Sequence, residues 1–270
     1  MGGFARRMSY WNAFAGKYPN APVVRVDGGS IFNVGVADGP VRNRWMLEGT
    51  FRSRLDAVNL TAWDVPVWQE MADLAAAGVV PREHLGVPLV SANVTPKIEN
   101  FPKLERFRLR DLAAGAGGAP IRVGITGLLF DPQERLSRRE FAVVDPQTAA
   151  RQVVSELKEK TDYRVILTDL DLGRAISLAI AVPDVDLIVV ARNYESVVEP
   201  QQIGDTLIVV PINEGRTVGE VRVQRARGIE KRQVDARFAP LDRTVPDDPA
   251  LGDLVRKAQA ELDEFRKKNP

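Results

Sequence analysis

Tyr163 to Gly173, reading YRVILTDLDLG, and Asp186 to Glu195, reading DLIVVARNYE, decide the fold of this 270-residue chain. Each is a run of β-branched and aliphatic residues that stops abruptly at polar ones, the pattern of a strand buried on both faces. The stretch between them, Arg174 to Ala181, reads as a short helix, so the three segments form a βαβ unit with parallel strands. Open parallel sheets place ligands just outside the C-terminal ends of their strands. The search for function therefore starts where these two runs end.

Upstream, Phe4, Met8, Trp11 and Ala15 recur at helical spacing and predict an opening helix that ends near Gly16. Pro22 to Asp27 reads as a strand breaking at Gly28 and Gly29, and Leu47, Phe51 and Leu55 mark a second helix face. Ala57 to Leu60 is a short buried strand with Thr61 to Asp64 as its exit loop. Asp64 as N-cap, with Pro66 in the first turn, starts a third helix that Gly78 stops. Val87 to Ala92 is another strand. Phe107 and Leu109 alternate with Arg106, Arg108 and Arg110 and pair through a glycine-rich turn, Gly115 to Gly118, with Ile121 to Thr126. That turn lacks the Lys-Ser/Thr of a P-loop and leads into a strand, so it reads as a hairpin turn rather than a phosphate cradle.

Downstream, Asp145 and Pro146 cap a helix whose apolar face is Ala149, Ala150, Val153, Val154 and Leu157. Thr206 to Pro211 adds a strand, and Val221 and Val223 alternate with polar neighbours as an antiparallel edge strand. After the proline-rich Pro240 to Pro249 comes a final helix, whose stripe of Leu251, Leu254, Val255, Ala258, Leu262 and Phe265 must dock on this domain or on a protein partner. The prediction is an α/β fold built on two sheets or one large mixed sheet, with flanking helices, with residues 1–239 as the main domain and 240–270 as a connection and C-terminal helix.

Composition narrows the chemistry. Hydrophobic residues make up 44% and charged residues 27%, with a net charge of +1, so no nucleic-acid field is implied overall. The basic run Arg222 to Arg232 has no interleaved aromatic residue and reads as a solvated strand face and turn. The absence of cysteine excludes disulfides, thiolate metal sites and thiol catalysis within the chain. No apolar run of about 18 residues is present to span a membrane.

Seven segments, taken in order, resemble the calcineurin-type metallophosphoesterase superfamily, particularly the N-terminal domain of 5'-nucleotidases and UDP-sugar hydrolases. Gly2 to Arg6 is similar to that family's Gly-Gly-x-Ala-Arg segment, and Val26 to Ser30 to its Asp-x-Gly-Asp loop. Ala57 to Val65 is similar to the strand entering Gly-Asn-His-Glu, Val90 to Val94 to Ser-Ala-Asn-Val, and Arg122 to Gly127 to Val-Gly-Ile-x-Gly. Val165 to Gly173 resembles the strand ending in Ser-His-x-Gly, and Asp186 to Tyr194 the one ending in Gly-His-Ser-His. The resemblance implies a two-sheet α/β sandwich, a periplasmic or secreted setting, and hydrolysis of phosphate esters by two metal ions that supply a hydroxide nucleophile.

The ligand positions implied by that resemblance are changed. The bridging Asp corresponds to Ser30, the Asn and His of Gly-Asn-His-Glu to Ala62 and Trp63, the later His to Asp169, and the final two His to Arg192 and Tyr194. The family's first strand and its Asp-x-His would precede residue 1. The chain has a single histidine, His84, where such a site needs several. A guanidinium at Arg192 cannot ligate a metal ion.

Three readings of the strand ends stay open. In the first, no cofactor is held, and Arg192 pairs with Asp169 or Asp64 in a former metal cavity, leaving a non-catalytic binding or interaction domain. In the second, Ser30, Trp63, Asp169, Arg192 and Tyr194 line a pocket for a nucleotide or other phosphorylated anion, with Arg192 as a bidentate donor. In the third, Asp27, Asp64, Asp169, Asp171 and Glu195 hold Mg²⁺ or Ca²⁺ through oxygen ligands, and an active phosphoester hydrolase survives with Asp64, Asp169 and Arg192 as candidate catalytic groups. A Ser30–His84 nucleophile is disfavoured because Gly28 to Phe32 lacks the closing glycine of a nucleophile elbow. Separately, family members that begin Gly-Gly-x-Ala-Arg-Arg resemble chains with a redox-active Cys- or selenocysteine-rich segment upstream, so this chain could be the fragment of a redox protein.

Overall fold

In the structure, a computed structural model, residues 2–113, 120–136, 141–191, 199–211, 215–224 and 233–269 are described. In chain order the first half comprises α1 (Phe4–Lys17), β1 (Val26–Asp27), α2 (Gly39–Arg52), β2 (Ala57–Asn59), α3 (Val65–Ala76), β3 (Leu89–Val90), β4 (Val94–Pro96), β5 (Leu104–Glu105), β6 (Phe107–Leu112) and β7 (Ile121–Leu128). The second half comprises β8 (Phe141–Val143), α4 (Pro146–Lys158), β9 (Tyr163–Thr168), α5 (Leu172–Ala181), β10 (Leu187–Val190), β11 (Gln201–Ile203), β12 (Thr206–Val209), β13 (Thr217–Gln224), β14 (Gln233–Pro240) and α6 (Pro249–Lys268).

The two opening runs are β9 and β10, paired in parallel with Val165 beside Leu187 and Leu167 beside Val189. They are the centre of a sheet ordered β11-β12-β10-β9-β7-β6, whose inner four strands are parallel and whose two edges are antiparallel. A second sheet, β1-β2-β3-β5, is parallel throughout.

Strand alternation explains how the two sheets pack, because successive side chains point to opposite faces. Val123, Ile125, Val165, Leu167, Leu187, Leu207 and Val209 face Ala57 and Val90 of the smaller sheet and form the inter-sheet core. Ile166, Ile188 and Ile208 point the other way, onto Val153, Leu157 and Leu178 of α4 and α5. Val58, Leu60 and Leu89 likewise point outward, onto Leu47 of α2 and Trp68 and Met71 of α3. The layers run helix, sheet, sheet, helix. This is the two-sheet α/β sandwich that the sequence resemblance implies.

Several elements differ from their sequence expectations. Ladder pairing in the smaller sheet is short: Pro22 to Asp27 contributes only Val26–Asp27, and Val87 to Ala92 only Leu89–Val90. The cause lies beyond each end. Arg25 pairs with Asp56 partly through that residue's side chain, and after Val90 the chain leaves its sheet, with Ala92 N–H donating to Gly127 O of β7 at 2.7 Å. β13 is not an edge of either sheet but pairs with β14 in a separate ribbon, whose Val221, Val234, Ala236 and Phe238 pack against the inter-sheet core. The tips of the Gly115 to Gly118 turn and of the basic run between β13 and β14 lie outside the described residues.

Leu251, Leu254 and Leu262 of the α6 stripe are buried within the chain, whereas Val255 is 46% exposed. Leu251 and Leu254 pack with Ala5, Phe4, Met8 and Trp45, and Glu261 accepts from Trp45 Nε1 at 2.7 Å. Arg266 reaches Asp38 at the start of α2 at 2.9 Å.

The two sheets come closest at Gly127, where a Cβ would lie 2.3 Å from Val90 O and 2.4 Å from Asn59 Oδ1. Both neighbours are fixed in the core, so the backbone itself must move to admit a methyl group. Gly127→Ala is therefore expected to destabilise the fold by about 2–3 kcal/mol, whereas Gly16→Ala, at a helical position with open space around it, should be neutral or stabilising by up to about 1 kcal/mol. Urea unfolding of the two variants checks this, and equal midpoints would refute the close-approach account.

Candidate functional site

The parallel strands of both sheets end along one seam, and their exit loops carry most of the candidate residues. β1 runs into Asp27 and Gly28, β2 into Thr61 to Asp64, β7 into Leu129 and Phe130, β9 into Asp169, and β10 into Ala191. Across the seam, a Cβ on Gly28 would lie 2.5 Å from Ala191 Cβ, so the exits of β1 and β10 are in contact.

Asp64 occupies the N-cap position of α3, as the sequence predicts, but its side chain does not cap the helix. It turns back instead. Its Oδ1 accepts from Phe32 N–H at 3.1 Å, and its Oδ2 from Ile31 N–H at 3.2 Å and Thr61 Oγ1 at 3.0 Å. The loop it holds includes Ser30, an exposed residue whose φ of 58° lies in the left-handed region that costs a side-chain-bearing residue about 1–2 kcal/mol. Asp64 is fully buried.

Asp169 makes the corresponding link from the larger sheet. Its Oδ1 accepts from Phe130 N–H at 2.7 Å and its Oδ2 from Ala62 N–H at 3.4 Å, so one carboxyl ties the exits of β9, β7 and β2. Burial pushes Asp169 up to about 7, with the nearby Asp64 adding to the rise and backbone N–H donors opposing it. Burial likewise pushes Asp64 up to about 6 against the donors that surround it.

The other candidates are placed as follows. Asp27 accepts from Arg7 Nη1 at 2.9 Å and from Gly29 N–H at 3.1 Å. Asp171 caps α5, accepting from Arg174 N–H at 2.8 Å and pairing with the Arg174 guanidinium. Trp63 is 42% exposed beside the seam. His84 sits in a 3-10 turn, Arg82–Gly86, with its ring 5.0 Å from that of Phe51. Arg192, Tyr194 and Glu195 lie outside the described residues, as does any pairing of Arg192 with Asp64 or Asp169.

A divalent cation requires several oxygens free to converge on it. The oxygens of Asp27, Asp64, Asp169 and Asp171 instead accept from the loops and helix that carry or face them, and among the described residues no group of three or more acidic or histidine side chains comes together. Asp27, Asp64, Asp169 and Asp171 therefore do not converge into a metal-binding group among the described residues, and Glu195, the fifth candidate ligand, lies outside them.

Two polar residues of the seam have no assigned role in the sequence reading. Asn93 accepts from Leu129 N–H at 2.8 Å and donates to Leu129 O at 2.8 Å and Val144 O at 3.1 Å, joining the exits of β3, β7 and β8. Thr61 exchanges hydrogen bonds with Asp64, at 3.0 Å from its hydroxyl and at 3.4 Å from Asp64 N–H. The available signals were a Thr-x-x-Asp spacing, which favours such local exchange, and an Asn ending an apolar run.

For both raised carboxyls the folded state keeps its proton to a higher pH than the unfolded chain, whose value is near 3.8. Stability should therefore fall as pH rises from about 4 to about 7, by on the order of a few kcal/mol. Carboxylates such as Asp38 and Asp111, held below their usual range by Arg42 and Arg122, lose their contribution only in stronger acid. Thermal melts from about pH 5 to about pH 8 should show the decline, and Asp169→Asn should flatten it. A wild-type profile that rises over this range would refute the assignment. Asp64→Ala, which strands the buried N–H groups of Ile31 and Phe32, is expected to cost about 2–4 kcal/mol in urea unfolding.

Neither a family model nor a curated protein matches the chain by sequence. Its structure, however, is similar to known ones over nearly its whole length. A sulfate thiohydrolase, SoxB, from Thermus thermophilus superposes with a TM-score of 0.74 at 16% identity, covering 98% of this chain and 48% of that one. A 5'-nucleotidase precursor from Thermus thermophilus gives 0.72 at 20% identity over 97% of this chain and 54% of that one. The NAD nucleotidase NadN of Haemophilus influenzae gives 0.73 at 15% identity over 98% and 61%. The chain thus spans about half to three fifths of the length of the proteins it matches. At these identities the likeness is one of fold, and the fold is the metallophosphoesterase type found in 5'-nucleotidases, as the sequence resemblance implies.

Proposed function

We propose that this chain is a metallophosphoesterase-type domain that works by binding, without two-metal hydrolysis. One observation carries the reading: each described carboxylate at the strand ends already accepts hydrogen bonds from the fold, with Asp27 on Arg7 and Gly29, Asp64 on Ile31 and Phe32, Asp169 on Phe130 and Ala62, and Asp171 on Arg174. Each of these carboxyls is oriented by the loop or helix it serves, so gathering several of them around one cation would mean rearranging the strand exits.

The ligand class follows from two neighbours and from the sequence. Two of the similar structures are a 5'-nucleotidase and an NAD nucleotidase by name, which supports a nucleotide or another phosphorylated small anion as the ligand of this chain. Arg192 is the residue we assign to the phosphate, since guanidinium suits bidentate recognition of phosphate oxygens.

The test combines metal analysis of the purified protein, turnover assays with nucleoside monophosphates, NAD and generic phosphoesters in the presence of Mg²⁺, Mn²⁺ or Zn²⁺, and calorimetric titration with the same nucleotides. Substoichiometric metal, no turnover and saturable nucleotide binding weakened by Arg192→Ala are the expected results. Stoichiometric metal together with turnover that Asp169→Ala abolishes would sink the proposal and establish a hydrolase with a rebuilt carboxylate site.

A further inference from the structure

The exits of β1, β2, β7 and β9 meet along the seam, and that junction is occupied by hydrogen-bonded carboxyl groups. We infer that Asp64 and Asp169 act as a cation-independent clasp that holds the exit loops of β1, β2, β7 and β9 together across the seam. Asp64 reaches from the β2 exit to the loop after β1, and Asp169 reaches from the β9 exit to Phe130 after β7 and to Ala62 after β2. The two links meet in the four-residue turn Thr61 to Asp64, which is itself closed by Asp64 N–H donating to Thr61 O at 3.1 Å. They form one chain of contacts from the smaller sheet to the larger.

Three features separate this from incidental hydrogen bonding. Asp64 is wholly buried and Asp169 is 7% exposed, and burying a carboxyl is costly unless its acceptors are used. Asp64 forgoes the helix cap that its position offers, as Asp38 does in favour of Arg42 and Arg266, whereas Asp145, Asp171 and Asp248 cap the helices that follow them. Besides the neighbouring Thr61, Asp64 is bonded to Ile31 and Phe32, more than thirty residues away, and Asp169 is 107 residues from Ala62. The clasp fixes the shape of the seam whether or not a ligand is bound there, so both carboxyls are positioning residues.

The experiment uses the full chain and reads amide hydrogen exchange by mass spectrometry, alongside melting temperature with EDTA and with Mg²⁺, Mn²⁺, Ca²⁺ or Zn²⁺. Wild-type melting temperature should be unchanged by EDTA or by any of these cations. In Asp64→Asn, peptides containing Ile31 and Phe32 should exchange at least tenfold faster, and in Asp169→Asn those containing Ala62 and Phe130, while the β13–β14 ribbon exchanges as in wild type. A cation-dependent rise in wild-type melting temperature that both variants lose, or unaltered exchange at these amides, would overturn the clasp. If a variant does not fold, Thr61→Val, which removes one donor from Asp64, provides the same local readout. Metal-free phosphoester turnover would refute the binding reading of the domain and leave the clasp intact, so the two proposals fail separately.

Discussion

Parallel strands that end inside a sandwich of two sheets leave their last backbone groups facing a dry interior, and each of those groups needs a partner. In this chain the need is met along a single seam by a few short polar side chains. Asp64 serves the loop after β1, Asp169 serves the exits of β2 and β7, and Asn93 joins β3 to β7 and β8. The sheets approach too closely at Gly127 for larger groups to share that space. The rest of the architecture is arranged around this junction: inter-sheet apolar packing behind it, and helices sealing both outer faces.

The arrangement trades one form of cost for another. Two carboxyls held in the interior are pushed toward neutral pH by the loss of water around them, while backbone N–H donors pull them back. The seam consequently has the ingredients that active sites often show, buried acids with shifted titration, but here their oxygens are spent on local structure. Perturbed acids mark candidate functional sites, and structural networks shift titration in the same way.

The fold was legible because the signals that specify it are periodic and local. The runs at Tyr163 and Asp186, the helix face from Ala149 to Leu157 and the cap at Asp145 each needed only side-chain spacing and one turn residue, and each stands in the structure with little change. Shorter elements were harder. β8 depends on β4, a partner distant in sequence, β11 and β14 are short or bare of a strong periodic signal although they pair with the adjacent β12 and β13, and the pairing of β3 ends early because Ala92 finds its acceptor in the other sheet.

At the candidate site, sequence identified residues but not their orientation. Asp64 and Asp169 were singled out from their places at strand ends, and Thr61 and Asn93 were passed over because a lone Thr or Asn carries no pattern until its partners are known. By itself the sequence determined an α/β fold of mixed strands and flanking helices, excluded thiol chemistry, and located the strand ends where ligands would sit, while the resemblance implied the two-sheet sandwich. Only the tertiary structure decided that Asp64 turns away from its own helix toward residues 31 and 32, and that Asp169 spans two sheets. The reason is physical: strand and helix periods are set by neighbours a few positions away, whereas the direction of a buried carboxyl is set by whichever unsatisfied N–H groups the folded chain brings within reach.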